Sequence, residues 1–140
     1  FETGSARPLD FGHWSAHKIE QLSDFSITHG EAVGMGIALD SAYSYLLGWL
    51  SEEKLLRILN LLRHLSFDII NPHIQINDVT SPVLRGLTEF QEHLGGKLTI
   101  TLLTDLGQKA EVHEMQMPLL VEASRYIIAF HKRKGHTQPL

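Results

Sequence analysis

A chain of 140 residues with 43% apolar and 20% charged residues fits one globular domain built on one core. A net charge of -4, with His131-Lys132-Arg133-Lys134 as its basic run, speaks against a nucleic-acid surface, and that run suits a helix end complementing its dipole. The absence of cysteine excludes disulfides, thiolate ligands and cysteine nucleophiles, so any metal site must use nitrogen and oxygen donors.

The first helix is expected from Gly12 to Leu22, where apolar and small residues fall at helical spacing until Ser23-Asp24 breaks the pattern. It carries His13 and His17 four apart, on one face. A second helix starts at Glu31 and runs through Val33, Met35, Ile37 and Ala42 to Gly48. Its small residues Gly34, Gly36 and Ala38 predict a close approach to a neighbour. Ser51 reads as the N-cap of a third helix, with Glu52 and Glu53 in the favourable first turn and Leu55, Ile58, Leu59 and Leu62 as its buried stripe. Asn71-Pro72 is a stop, and Ser81-Pro82 starts a fourth helix that ends near Leu94. Gly95-Gly96 then turns the chain into an alternating strand, Lys97 to Leu103, and Gly107 separates it from a partner strand at Ala110 to His113. A last helix spans about Met117 to Lys132. The fold class is therefore mainly α, with a small β-hairpin.

No apolar run approaches the ~18 residues of a membrane span, and Phe1-Glu2-Thr3-Gly4-Ser5 lacks the regions of a signal peptide. The chain reads as soluble and cytoplasmic, with no membrane or nucleic-acid partner; the lack of cysteine agrees with a reducing compartment. It begins without methionine and reaches its richest motif within a dozen residues, which suggests a segment of a longer protein.

That motif is Gly12-His13-Trp14-Ser15-Ala16-His17-Lys18-Ile19-Glu20, followed by His29-Gly30-Glu31-Ala32-Val33. Imidazoles at i and i+4 can converge on one point, and a third from the start of the next helix can complete a divalent-metal site. His17 could instead serve as acid/base beside the metal, since an unperturbed imidazole titrates near neutrality. Spacing alone leaves a surface or packing role open. His64, His73, His93, His113, His131 and His136 show no such clustering and read as solvated or capping residues.

The string Leu9-Asp10-Phe11-Gly12-His13, three residues, His17, two residues, Glu20, and then His29-Gly30-Glu31-Ala32-Val33 with Gly36 resembles the metal-binding segment of 3-dehydroquinate synthases. The resemblance continues through Gly96-Lys97 and Gly107 and so covers nearly the whole chain. It implies the helical C-terminal domain of a two-domain sugar-phosphate cyclase, a carbon-oxygen lyase. His13 and His29 would be two of three zinc ligands, and His17 the active-site histidine near the phosphate. The third ligand, a glutamate, and the NAD-binding α/β domain would lie upstream of these 140 residues, which form a single metal-binding domain. The family's reaction oxidises a seven-carbon sugar phosphate transiently with NAD, eliminates phosphate, reduces the carbonyl again and closes a ring. Zinc, or another divalent metal, polarises the hydroxyl that becomes a carbonyl, and NAD carries the hydride. A homodimeric parent is implied, and the isolated segment is expected to be inactive.

The departures from the family pattern concern the substrate's anionic groups. Asp10 stands where the family has a phosphate-contacting asparagine, and Arg7 lies one residue nearer the motif than the family's arginine, with Pro8 between. The family's Asp-Lys-Lys run aligns with Phe90-Gln91-Glu92, so a lysine facing an anionic substrate is absent. With Arg7 and Asp10 as substrate-side positions, the chain reads as a divergent relative whose product differs from 3-dehydroquinate. Two other readings stand beside it: an iron- or zinc-dependent alcohol dehydrogenase of the glycerol type, which shares a His-x3-His and His-Gly pattern, and a non-catalytic helical module for assembly or partner binding. Glu20 and the interval from His13 to His29 favour the cyclase.

Overall fold

The computed structural model describes residues 11–64, 76–78 and 80–137, with side chains as far as 132. Arg7 and Asp10, the stop at Asn71-Pro72 and His73 lie outside the described residues, as does the side chain of His136. Among the described residues, five α-helices and one hairpin follow in the order α1 (His13–Leu22), α2 (His29–Leu46), α3 (Glu52–His64), α4 (Arg85–His93), β1 (Ile100–Asp105), β2 (Gln108–Val112) and α5 (Met117–Thr137). The mainly α architecture with an appended hairpin is the one expected from the sequence.

The boundaries differ for local reasons. α2 begins two residues earlier than expected, at His29, because Thr28 is its N-cap. The Glu31 backbone N–H donates to Thr28 Oγ1 at 3.2 Å, and the Thr28 N–H donates to the Glu31 carboxylate at 2.9 Å, a reciprocal capping box. Pro82–Leu84 forms a 3₁₀ turn before α4 proper, and α5 continues past Lys132 to Thr137. β1 starts at Ile100 rather than Lys97 and pairs antiparallel with β2, with Ile100 opposite Val112 and Leu102 opposite Ala110.

Three helices end in the same way. Behind α1, α2 and α4 the chain turns through a left-handed residue, Asp24 (φ 56°), Gly48 (φ 85°) and Gly95 (φ 91°). The next N–H then reaches five residues back, from Phe25 to Glu20, Trp49 to Ser44 and Gly96 to Gln91. These Schellman turns satisfy the last helical carbonyls.

α2 is the central element. Ala32, Met35, Ala38, Leu39, Ala42 and Tyr43 are buried along it, and α1, α3, α5 and β1 all pack on it. Its polar residues Asp40, Ser41 and Ser44 are also fully buried. Trp14 and Ile19 of α1, Leu55 and Leu59 of α3, and Leu120, Ile127 and Phe130 of α5 complete the core. A Cβ on Gly36 would lie 2.0 Å from the Gly12 carbonyl oxygen, and one on Gly12 2.9 Å from the Ile37 nitrogen. The start of α1 therefore lies directly against the backbone of α2, the close approach that the small residues predict. Among the described residues no helix is long and apolar enough to cross a membrane.

Candidate metal centre

The Gly12–Gly36 contact sets α1 against α2 and brings their first residues, His13 and His29, together. The two rings stand 5.3 Å apart between centroids, and His17, one turn along α1, lies 6.5 Å from His13 and 6.1 Å from His29. The three histidines therefore form one cluster. His13 is half-buried, whereas the side chains of His17 and His29 are 67% and 56% exposed, so the cluster faces outward.

Hydrogen bonds fix the tautomers of two members. His29 Nδ1 lies 2.6 Å from Glu20 Oε2, and His13 Nδ1 lies 3.3 Å from the Phe11 carbonyl oxygen. An ionised carboxylate and a carbonyl can only accept, so both Nδ1 atoms carry the proton. In the neutral rings each Nε2 then carries the lone pair. A carboxylate or carbonyl behind Nδ1 is the usual support of a metal-ligating imidazole. The other oxygen of Glu20 is 4.0 Å from His17 Nδ1, beyond hydrogen-bond distance, so this largely buried carboxylate bonds His29 and only neighbours His17.

The cluster is not a closed coordination set. Among the described residues no group of three or more histidine, aspartate or glutamate side chains is arranged to hold a metal ion. Two neutral imidazoles with their lone pairs on Nε2 suit a divalent cation that draws its remaining donors from elsewhere.

Beneath the cluster lies a buried polar contact. The Trp14 indole N–H donates to Asp40 Oδ1 at 2.8 Å, and the other Asp40 oxygen has no hydrogen-bond partner among the described residues. Burial pushes the Asp40 carboxyl up to about 7, against the opposing pull of the Trp14 indole and the Gly12 backbone. Asp40 thereby fastens the residues on either side of His13.

Of the residues singled out in the sequence, His13, His17 and His29 come together. Glu31 of the His-Gly-Glu motif turns out to be a capping residue. Glu20 has a support role that its spacing announces, three residues after His17 and seven after His13, hence on the same helix face. Asp40 carries no such signal, since a lone aspartate in an apolar helix gives no hint of the indole it meets. His93 is exposed in the last turn of α4, as expected of a solvated residue, and its ring lies against Phe90 with centroids 6.5 Å apart. His113 is exposed, as expected, and its Nδ1 lies 2.9 Å from the Leu98 carbonyl oxygen, across the open end of the hairpin.

Comparison with known proteins gives the family of the chain. The family model described as 3-dehydroquinate synthase C-terminal matches residues 1–85. The 3-dehydroquinate synthase of Acinetobacter baumannii (strain SDF) is 29% identical over 123 residues, 87% of this chain and 33% of that protein. The one from Chlorobium chlorochromatii (strain CaD3) is 33% identical over 108 residues, covering 75% of this chain and 29% of that protein. Among solved structures, ValA (2-epi-5-epi-valiolone synthase) from Streptomyces hygroscopicus subsp. jinggangensis 5008, with NAD+ and Zn2+ bound, superposes with a TM-score of 0.80. It is 23% identical, and the match covers 91% of this chain and 34% of that one. The chain thus spans about a third of the length of the curated relatives it matches. With the family model over residues 1–85 and the helical fold in common, the chain belongs to the 3-dehydroquinate synthase family and has the fold of its C-terminal domain.

Proposed function

We propose that this domain is the metal-binding part of an NAD-dependent sugar-phosphate cyclase, with His13 and His29 as ligands to zinc or another divalent cation. The observation that carries the reading is the state of these two imidazoles. Both turn Nδ1 to an acceptor and keep Nε2 for a cation, within one outward-facing cluster. Glu20 holds the His29 ring and strengthens its donor nitrogen. His17, beside both rings and open to solvent, is assigned the proton transfer near the leaving phosphate. Arg7 and Asp10, in the segment leading into α1, are assigned to the substrate side.

When bound, the metal would act as a Lewis acid on the substrate hydroxyl that is oxidised. The third ligand and the NAD site are assigned to an N-terminal α/β domain joined to this one. Likeness of fold to ValA, whose structure has NAD+ and Zn2+ bound, supports the cofactor assignment. Asp10 and the Phe90-Gln91-Glu92 segment, in place of residues that would meet an anionic substrate, favour a product other than 3-dehydroquinate.

Zinc titration calorimetry on the wild-type chain and on His13→Ala and His29→Ala tests the ligands. Each variant should bind roughly tenfold more weakly or worse, and equal affinity in all three would remove the assignment. In the complete protein, NAD and a seven-carbon sugar phosphate should release phosphate without net NADH. Net NADH without phosphate would instead favour the glycerol-type dehydrogenase, and neither signal would favour a non-catalytic module.

A further inference from the structure

His13 and His29 each open a helix, and the two helix starts are secured by different means. α2 has its own capping box at Thr28 and Glu31, and Glu20 bonds the His29 ring at 2.6 Å. α1 has no such local support. Its N-cap is Gly12, left-handed at φ 80° and without a side chain to cap with, and no acidic residue stands in its first turn. The hydrogen bond of the His13 ring is also the longer one, 3.3 Å to the Phe11 carbonyl.

The carboxyl at this end comes from α2. Asp40 is fully buried and accepts from the Trp14 indole at 2.8 Å. The Gly12 backbone favours its ionised form, as an N–H does and a carbonyl does not. One carboxyl therefore reaches the residues before and after His13, where the dipole of α1 also favours negative charge. The contact of Gly12 with Gly36 sets how near α1 stands to α2; the directional indole bond sets the rotation of α1 about its own axis. For mere cohesion the arrangement is a costly one. The second Asp40 oxygen is buried without a hydrogen-bond partner among the described residues, whereas an apolar pair of similar size would leave no polar atom unpaired. What the polar pair adds to an apolar one is direction. We propose that Asp40 is a positioning residue for His13, holding Trp14 and Gly12 so that the His13 ring stays beside that of His29. The ligand role of His13 rests on the metal reading; the placement of its ring by Asp40 does not.

Variants of the 140-residue chain separate positioning from stability, with two readouts: the nuclear Overhauser contact between the His13 and His29 rings in the zinc-free protein, and zinc affinity by calorimetry. Asp40→Asn keeps an oxygen for the indole and should keep both readouts at the wild-type level. The double variant Trp14→Phe, Asp40→Leu replaces the bonded pair by apolar groups and strands no donor, so it should melt no lower than the wild type. It should nevertheless lose the ring contact and bind zinc roughly tenfold more weakly. Wild-type readouts in the folded double variant overturn the proposal, and so does loss of the ring contact in folded Asp40→Asn. If the double variant does not fold, Trp14→Phe alone decides. It leaves the carboxyl in place, should weaken both readouts, and overturns the proposal if it matches the wild type. Ring contacts that follow this pattern in a chain that binds no zinc would remove the metal reading and leave the positioning role intact.

Discussion

Asp40 is fully buried and holds the Trp14 indole, next in the chain to His13. Its carboxyl is raised from 3.8 to about 7, burial being the largest cause. The folded chain therefore keeps a proton that the unfolded chain releases at lower pH. The contribution to stability is fully present below about pH 4 and is lost as the pH rises through about 7, with a limiting slope of about 1.4 kcal/mol per pH unit. Asp40→Asn keeps an oxygen acceptor for Trp14 and removes the titration. Urea unfolding of both proteins at several pH values should show the variant gaining on the wild type as the pH rises from about 4 to about 8. Parallel curves would mean that Asp40 stays ionised in the fold. At this scale the sequence is partly legible. The spacing of His13, His17 and His29 and the helix face of Glu20 are periodic features and can be read directly. Trp14 meets Asp40 across 26 residues of chain and Lys18 meets Glu89 across 71, each on another element, and no local pattern encodes these pairs.

Among the elements, α2 depends on both of its ends and on one contact in its middle. The Thr28–Glu31 capping box sets where α2 begins, and hence the direction of His29; the Schellman turn at Gly48 ends it. Thr28→Ala should cost about 1 kcal/mol of stability, as is usual for a lost N-cap. Gly36→Ala should cost more, on the order of 3 kcal/mol, because a Cβ 2.0 Å from the Gly12 carbonyl oxygen forces two backbones apart. The two variants also separate stability from geometry. Gly36→Ala should broaden or move the His13 and His29 ring signals together, while Thr28→Ala should act mainly on His29. An alanine at position 36 as benign as the one at 28 would show that the helices slide to accommodate it. The small residues of α2 announce this contact in the sequence. The start of α2 at His29 rather than Glu31 is less legible, since the same Glu31 that looks like a motif residue is also the N3 member of the box.

For the whole molecule, the order of helices and the hairpin follow from periodicity and turn residues, while the way they pack does not. α3 is tied to the hairpin by Lys54 and Asp105, and to α5 by the Tyr126 hydroxyl donating to Glu52 at 2.8 Å. α5 is joined to α2 where the Gln116 N–H donates to the Tyr43 hydroxyl at 2.7 Å. None of these ties touches the His13–His29 pair, so a metal held there adds an independent link between α1 and α2. At a zinc concentration about 100-fold above its dissociation constant, that link should stabilise the fold by about 2.7 kcal/mol. In a domain of this size such a gain raises the melting temperature by roughly 5–15 °C. Nine histidines in the unfolded chain also attract zinc and reduce the shift, which makes the variants decisive. Glu20→Gln should weaken zinc binding by about 10- to 100-fold, as expected for a lost carboxylate behind a ligating imidazole, and so give an intermediate shift at the same zinc concentration. The double variant His13→Ala, His29→Ala should give none. A full zinc-induced rise in that double variant would place the metal on other histidines and leave the α1–α2 cluster without the role proposed for it.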